Sequence, residues 1–300
     1  MRACLDCLPC LARNAIDLAR KSAQGDAALE ARIAAEGMRI LAKAAEDGYA
    51  LPPPCYARQL IDNALAMSGG RVPDPWAPEK KTSTELALKL MECLDEIPDW
   101  DPNSFESCLR LSVAGNILDF SVYADLDIAA AMETMATAFT KRVDTAAVAG
   151  LKRRMGEAKS ILWIFDNCGE AVFDRLLMEP YREKITLAVR GKPAFNDLTR
   201  AELAESGYPE GYAAGGVVSN DDGVPGVVDA TCGDAFRAAF SRADLIVAKG
   251  QANFETMSER TDKPIAFLFL AKCPVVCREV GAQPQTIQVV LHNFERTVEK

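Results

Sequence analysis

Two spacings of apolar residues divide the chain. In its first half they recur at helical intervals: Leu29, Ile33, Ile40, Leu41 and Ala44 share one face of a segment that Asp26 is placed to cap. The prolines of LPPPC at 51–55 break the chain before the next such segment, YARQLIDNALAM. Further helices are expected from Thr82, where Thr82 and Glu85 fit a capping box, from Pro102 to about Phe120, and from about Asp127 to Lys141. The stretch SGGRVPDPWAPEKK at 68–81 reads as a loop.

Beyond about residue 150 the period changes. Short continuous apolar runs, ILWIF (161–165), ITLAV (185–189), LIVAK (245–249), IAFLFL (265–270) and TIQVVL (286–291), alternate with helical stretches such as 169–184 and 234–243. Runs that are apolar at every position suit strands covered on both faces. The expected fold class is α/β: a helical N-terminal region, 1–150, joined to a doubly wound, Rossmann-like α/β/α domain, 151–300, with a mainly parallel sheet. The segment 207–228, rich in Gly and Pro, reads as a surface loop, with a lid as the alternative.

Composition narrows the function classes. With 300 residues, 49% of them hydrophobic, the chain suits a globular protein, and no apolar run approaches the roughly 20 residues of a membrane span. The opening MRACLDCLPCLARNAIDLAR lacks the apolar core of a signal peptide, so a cytoplasmic location and no membrane partner are expected. A net charge of −9 without a long Lys/Arg block argues against nucleic acid as the main partner. The single histidine, His292, argues against Ser–His–Asp catalysis and multi-histidine zinc sites. Oligomeric state leaves no signature.

Ten cysteines are too few for a disulfide scaffold at this length, and most are expected to be reduced. CLDCLPC places Cys4, Cys7 and Cys10 at ligand-like spacing, but a closed tetrahedral site needs a fourth ligand and there is no second C-x-x-C. A second metal site, a redox pair and plain buried thiols all stay open. Cys273 and Cys277 read as core residues of a strand and its exit.

In an open parallel sheet, ligands bind outside the carboxyl ends of the strands. ILWIF is followed by Asp166 and Asn167, ITLAV by RGKPAFNDLT, and LIVAKG supplies Lys249 and then Asn253 and Glu255. These exits bring acids, amides and the cations Arg190, Lys192 and Lys249 to one edge. Oxygen ligands without histidine or thiolate suit Mg2+ or Mn2+, with Co2+ or Ni2+ able to fill a similar octahedral site, and neighbouring cations would complement phosphate. Glu170 is a candidate pocket or helix-start residue, Asp174 and Glu179 read as the solvated face of the following helix, and Arg200 and Glu202 as surface charges. The chain has neither a G-x-x-x-x-G-K-[ST] phosphate loop nor a G-x-G-x-x-G fingerprint after a strand. IFDNCGE has the strand-end aspartate of haloacid dehalogenase-type phosphatases but Cys168 where their second aspartate stands.

FDNCGEAVFD, RGKPAFNDLT, DLIVAKGQANFET and AKCPVV occur in the order and spacing of the DUF89 proteins, also called damage-control phosphatases or ARMT1-like metal-binding proteins. The chain resembles this family over nearly its whole length, and CLDCLPC and GNILDF (115–120) resemble its cysteine-containing prokaryotic subfamily. The resemblance implies a helical part joined to an α/β/α part, one divalent metal (Mn2+, Co2+, Ni2+ or Mg2+) and hydrolysis of small phosphorylated metabolites such as sugar phosphates. Its implied metal ligands are Asp166, Asn167 and Asp197. Lys249 of the KG motif would hold phosphate, and Asn253 and Glu255 would line the pocket. Cys168 and Glu202 depart from the family pattern, which tends to have a small residue and Asp there.

The implied reaction has Asp166 or Asp197 orienting a water, and Lys249, with Arg190 and Lys192 as further candidates, neutralising phosphoryl charge. Asn116 and Asp119, three apart in GNILDF, would share a helix face toward the cleft or serve a structural role. Alternatives to a phosphatase are a regulator that binds metal or metabolite without turnover, and a carboxyl methyltransferase, which the absence of a glycine-rich cofactor loop disfavours.

Overall fold

The computed structural model describes residues 1–115 and 128–294. Helices make up its first half: α1 (Leu8–Ala23), α2 (Ala27–Glu46), α3 (Pro53–Met67), α4 (Ala77–Glu92), α5 (Phe105–Ala114), α6 (Ile128–Thr140) and α7 (Thr145–Glu157). Strands and helices then alternate: β1 (Ile161–Ile164), α8 (Cys168–Met178), β2 (Ile185–Val189), β3 (Val217–Ser219), α9 (Asp234–Arg242), β4 (Leu245–Lys249), α10 (Gln251–Met257), β5 (Ile265–Ala271), α11 (Pro274–Val280) and β6 (Thr286–His292). No helix among the described residues is long and apolar enough to cross a membrane.

The strands form one sheet in the order β3-β2-β1-β4-β5-β6. β1 to β5 run parallel, and β6 closes one edge antiparallel to β5. β1, β4 and β5 are buried along their full length, which is why their sequences are continuously apolar rather than alternating. Alternate residues of β1 serve opposite faces. Ile161 and Trp163 pack with Leu90, Leu109, Met135, Leu151 and Val172 from α4 to α8, whereas Leu162 and Ile164 pack with Phe236, Phe254 and Val276 from α9, α10 and α11.

Helices α1 to α3 bury a core of their own around Leu11, Ile33, Leu60 and Ile61. That core also takes in Ala194 and Phe195, beyond β2, and Val275, beyond β5, so this helical cluster rests on the carboxyl edge of the sheet. Arg58, buried on α3, fixes the docking: its guanidinium donates to the carbonyls of Pro193 (3.1 Å) and Gly223 (3.3 Å) and pairs with Asp62.

Several element ends follow from local chemistry. Asp26 caps α2 as its position suggests, accepting from Leu29 N at 3.0 Å. α4 starts at Ala77 rather than Thr82, because Asp74 accepts from Trp76 N (2.9 Å) and Pro78 suits a first helical turn, which leaves Thr82 and Glu85 inside the helix. α5 starts at Phe105 rather than Pro102, with Ser104 accepting from Ser107 N at 3.2 Å. The expected continuation of that helix, with Asn116 and Asp119, lies outside the described residues.

The segment 207–228 is neither a lid nor a plain surface loop. Val217 to Ser219 add the strand β3 beside β2, and Tyr208, Asn220, Val224 and Val227 are buried. A three-residue strand at the end of a glycine-rich stretch is too short to leave a periodic signal.

Candidate active site

Chain connections run outward from the middle of the sheet, to β2 and β3 on one side of β1 and to β5 and β6 on the far side of β4. The carboxyl ends of β1 and β4 therefore flank the topological switch point, where a crevice opens. β1 sends Asp166 and Asn167 into it. The NDLT segment is zipped onto this exit by backbone bonds: Leu198 N donates to Asp166 O (2.7 Å), Cys168 N to Asn196 O (2.9 Å), and Asn167 and Asp197 form an isolated bridge. Two distant motifs thus bring Asp166, Asn167 and Asp197 together. Phe195 turns the chain into NDLT with φ +48, a conformation costly for a bulky residue, and its ring packs on Trp76 at 5.3 Å.

The carboxylates here are buried. Burial, then the charges of Asp197 and Glu170, raise the Asp166 carboxyl well above the ordinary range. Asp197 is also raised by burial, against the pull of Arg190, whose Nε donates to it at 2.6 Å. Arg190 is consumed by this pair and by the Gly226 carbonyl (2.9 Å). Asn167 donates its Nδ2 to Asp166 (2.7 Å) and to Glu170 (3.4 Å), an orientation that leaves its oxygen as the outward acceptor. The lysine–glycine motif has a steric reason as well: Gly250 has φ +80, and a Cβ there would overlap the Asp166 carboxylate.

Lys249 has a different place from the one expected of it. Its ammonium is fully buried and donates to Glu170 (2.6 Å), Asp174 (2.5 Å) and the carbonyl and hydroxyl of Ser112 (both 2.9 Å). Burial pulls this ammonium down, but Asp174 and Glu170 together outweigh it and hold the lysine charged. With its donors saturated, Lys249 is not a wall of the cavity, which corrects the expectation that it reaches a phosphate. Asp174 is corrected too. It is 1% exposed, not solvated, and also accepts from Trp163 Nε1 at 3.3 Å. Glu170 and Asp174 are four apart on α8, so one helix face presents both to the end of β4.

In front of Asp166, Asn167 and Asp197 lies a cavity of about 300 Å3. Its outer wall comes from Leu11 and Asn14 of α1, Pro53 and Ala57 of α3, and Phe195, and its far side from Gln251, Glu255 and Lys272. Glu255 lines it as expected. Burial pushes this carboxyl up to about 7, and Gln251 Nε2 donates to its Oε1 at 2.9 Å. Asn253 stands behind the site, donating to the carbonyls of Lys249 (2.6 Å) and Phe165 (3.3 Å). Lys192 is exposed and outside the cavity wall. Lys272, at the exit of β5, is a cavity cation that the sequence reading passed over, although the same strand-exit rule applies to the AKCP motif.

Glu202 is not a free surface charge. It accepts from Thr199 N (2.9 Å) and Oγ1 (2.6 Å) and pairs with Lys80 at 3.4 Å, which fixes the turn after NDLT, while Arg200 is exposed. Cys7 and Cys10 reach the cavity, and Cys4 touches Cys7. Among the described residues no three His, Cys, Asp or Glu side chains gather closely enough to hold a metal by themselves, so Cys4, Cys7 and Cys10 do not form a thiolate cage. The Asp166–Asn167–Asp197 set is a different case, because one of its three members is an amide. Cys277 is buried, but in α11 rather than in a strand, and Cys273, at the exit of β5, is half-buried and lines the cavity rather than the core.

Two outcomes follow. Lys249→Met leaves Glu170 and Asp174 buried without a counter-charge and is expected to cost about 3–5 kcal/mol in urea unfolding. Glu255 is raised on folding, so the stability it contributes is full below pH 4.5 and is lost as pH rises through about 7. Glu255→Gln is therefore expected to be more stable than the parent at pH 8 by about 3 kcal/mol, a gap that closes toward pH 4.5 in paired thermal melts.

Comparison with known proteins agrees with this architecture. A family model described as the damage-control phosphatase ARMT1-like domain matches residues 3–287. The chain is 32% identical over 300 residues to damage-control phosphatase PH1575 of Pyrococcus horikoshii, covering 98% of this chain and 100% of that protein. It is 29% identical over 264 residues to a damage-control phosphatase of Archaeoglobus fulgidus, covering 84% and 90% of the two chains. The crystal structure of the DUF89 family protein PH1575 from Pyrococcus horikoshii superposes with a TM-score of 0.83 at 30% identity, covering 97% of this chain and 99% of that one. The chain belongs to the DUF89 family, whose members carry the damage-control phosphatase ARMT1-like domain.

Proposed function

We propose that the protein is a phosphatase that removes phosphate from small phosphorylated metabolites, sugar phosphates among them, with one divalent cation held by Asp166, Asn167 and Asp197. The principal support is the donor set gathered at the switch point, where backbone bonds zip NDLT onto the exit of β1 and bring Asp166, Asn167 and Asp197 together. Two carboxylates with an amide oxygen are the donors that Mg2+, Mn2+, Co2+ or Ni2+ accept. When bound, such a cation supplies Lewis-acid polarisation of the phosphoryl group.

The chain's own residues do the rest. Lys272 neutralises charge on the phosphoryl oxygens from the cavity wall, the task the sequence suggests for Lys249. Lys249 acts from below, fixing Glu170, which in turn orients the Asn167 amide. Glu255, with its carboxyl near neutrality and Gln251 on Oε1, keeps Oε2 for a proton that it can give to the departing alkoxide. A cavity of about 300 Å3, largely apolar on its outer wall, suits a compact ester rather than a polymer. The reading retains a helical part, 1–150, that shapes the pocket, and an α/β/α part, 151–300, that supplies the chemistry.

Phosphate release from a panel of sugar phosphates, with and without each of the four cations, tests this reading. Cation-dependent release that is abolished in Asp166→Ala while the fold persists by circular dichroism is expected; undiminished turnover in that variant overturns the assignment. Cation binding without turnover on any ester would identify a non-catalytic regulator. Gly250→Ala, which displaces the Asp166 carboxylate without changing any charge, is expected to lower kcat/KM by about 100-fold.

A further inference from the structure

The phosphatase reading assigns no role to the cysteines at the amino end, although Cys7 and Cys10 line its cavity. Cys4 and Cys7 bracket a short 3-10 turn, Leu5–Cys7, that leads into α1, and Cys7 N donates to Cys4 O at 2.9 Å. The turn brings their sulfurs to 3.8 Å, in hydrogen-bonding contact. The ends of a turn closed in this way have about the separation that a disulfide requires.

Their surroundings give the two sulfurs different roles. Cys7 is buried, and burial above all pushes its thiol up to about 12, so it stays protonated. Cys4 is half-buried, at the head of the 3-10 turn, and so the more accessible of the two. Arg278, paired with Asp6 of the same turn, is a cation close enough to interact with the charges of Cys4 and Cys273. The accessible sulfur beside a cation is the attacking one, and the buried sulfur in contact with it is placed to resolve.

We propose that Cys4 and Cys7 form a reactive dithiol that hydrogen peroxide oxidises to an intramolecular disulfide. The Cys4 thiolate attacks one peroxide oxygen, the O–O bond breaks, and the departing hydroxide takes a proton to leave as water, with Cys4 as the sulfenic acid. Cys7 sulfur then attacks Cys4 sulfur, the S–O bond breaks, and a second water leaves with the Cys7 proton. Two thiols and one peroxide become one disulfide and two waters, with two electrons passing from sulfur to oxygen. The bond draws the sulfurs from 3.8 Å to about 2.05 Å, and the moving turn holds Asp6 and Cys7 in the cavity wall. Oxidation therefore reshapes the pocket rim without touching Asp166, Asn167 or Asp197.

The dithiol does not depend on the phosphatase reading, and its test is a mass rather than a rate. The full chain is titrated with hydrogen peroxide and followed by intact mass, with alkylation of the remaining thiols. The expected result is a loss of about 2 Da that dithiothreitol restores. Two of the ten cysteines should escape alkylation, both within the tryptic peptide 3–13. The loss should persist in Cys10→Ser and Cys273→Ser and vanish in Cys4→Ser and Cys7→Ser. An unchanged mass, addition of oxygen without a crosslink, or a crosslink that survives Cys4→Ser overturns the proposal. Fragmentation of peptide 3–13 from the unaltered chain places its one alkylated cysteine at Cys10 if Cys4 and Cys7 are the oxidised pair, so a variant that fails to fold does not leave the question open.

Discussion

Glu170 and Asp174 share one ammonium, that of Lys249, in a space closed to water. The arrangement ties three parts of the chain: α8 supplies the acids, β4 the lysine, and α5 the Ser112 carbonyl and hydroxyl that complete the lysine's bonds. Ion pairs this deep return little net stability, because desolvation offsets most of the attraction, but they tolerate no vacancy. Their value here is geometric. Asn167 is held by Glu170, Asp166 by Asn167 and by the bare face of Gly250, and Asp197 by Arg190 and the bridge to Asn167. Each polar group at the cavity floor is fixed by one beneath it.

The electrostatic consequence is a rigid floor whose carboxylates are raised by burial and, at Asp166, by the charges of Asp197 and Glu170 as well. Catalytic sites often store destabilisation in this form, and the core on either side of the sheet supplies the stability against which it is held.

The legible parts of the sequence are those where burial forces a pattern. Strands covered on both faces must be apolar throughout, so β1, β2, β4 and β5 stand out, and the rule that ligands meet strand exits singles out Asp166, Asn167 and Asp197. Lys249 and Asp174 were misread for one reason. A lysine at a strand exit and an acid on a helix look like ligand-facing and solvent-facing groups until the other is seen beside it, and that contact spans 75 residues. The i, i+4 spacing of Glu170 and Asp174 was the available hint. Lys272 obeys the same rule at a fourth exit, that of β5, and β3 leaves no mark because three residues carry no period.

The cavity has two builders. Its floor comes from the sheet and is locked from below, whereas its outer wall comes from α1 and α3, which carry a core of their own and are tied to the strand loops chiefly through Arg58. Substitutions at Asn14, Pro53 or Ala57 change the shape offered to a ligand without disturbing a single bond of the floor. A protein divided in this way can diverge in what it accepts while its chemistry stays constant, and descendants with new substrates need alter only the helices.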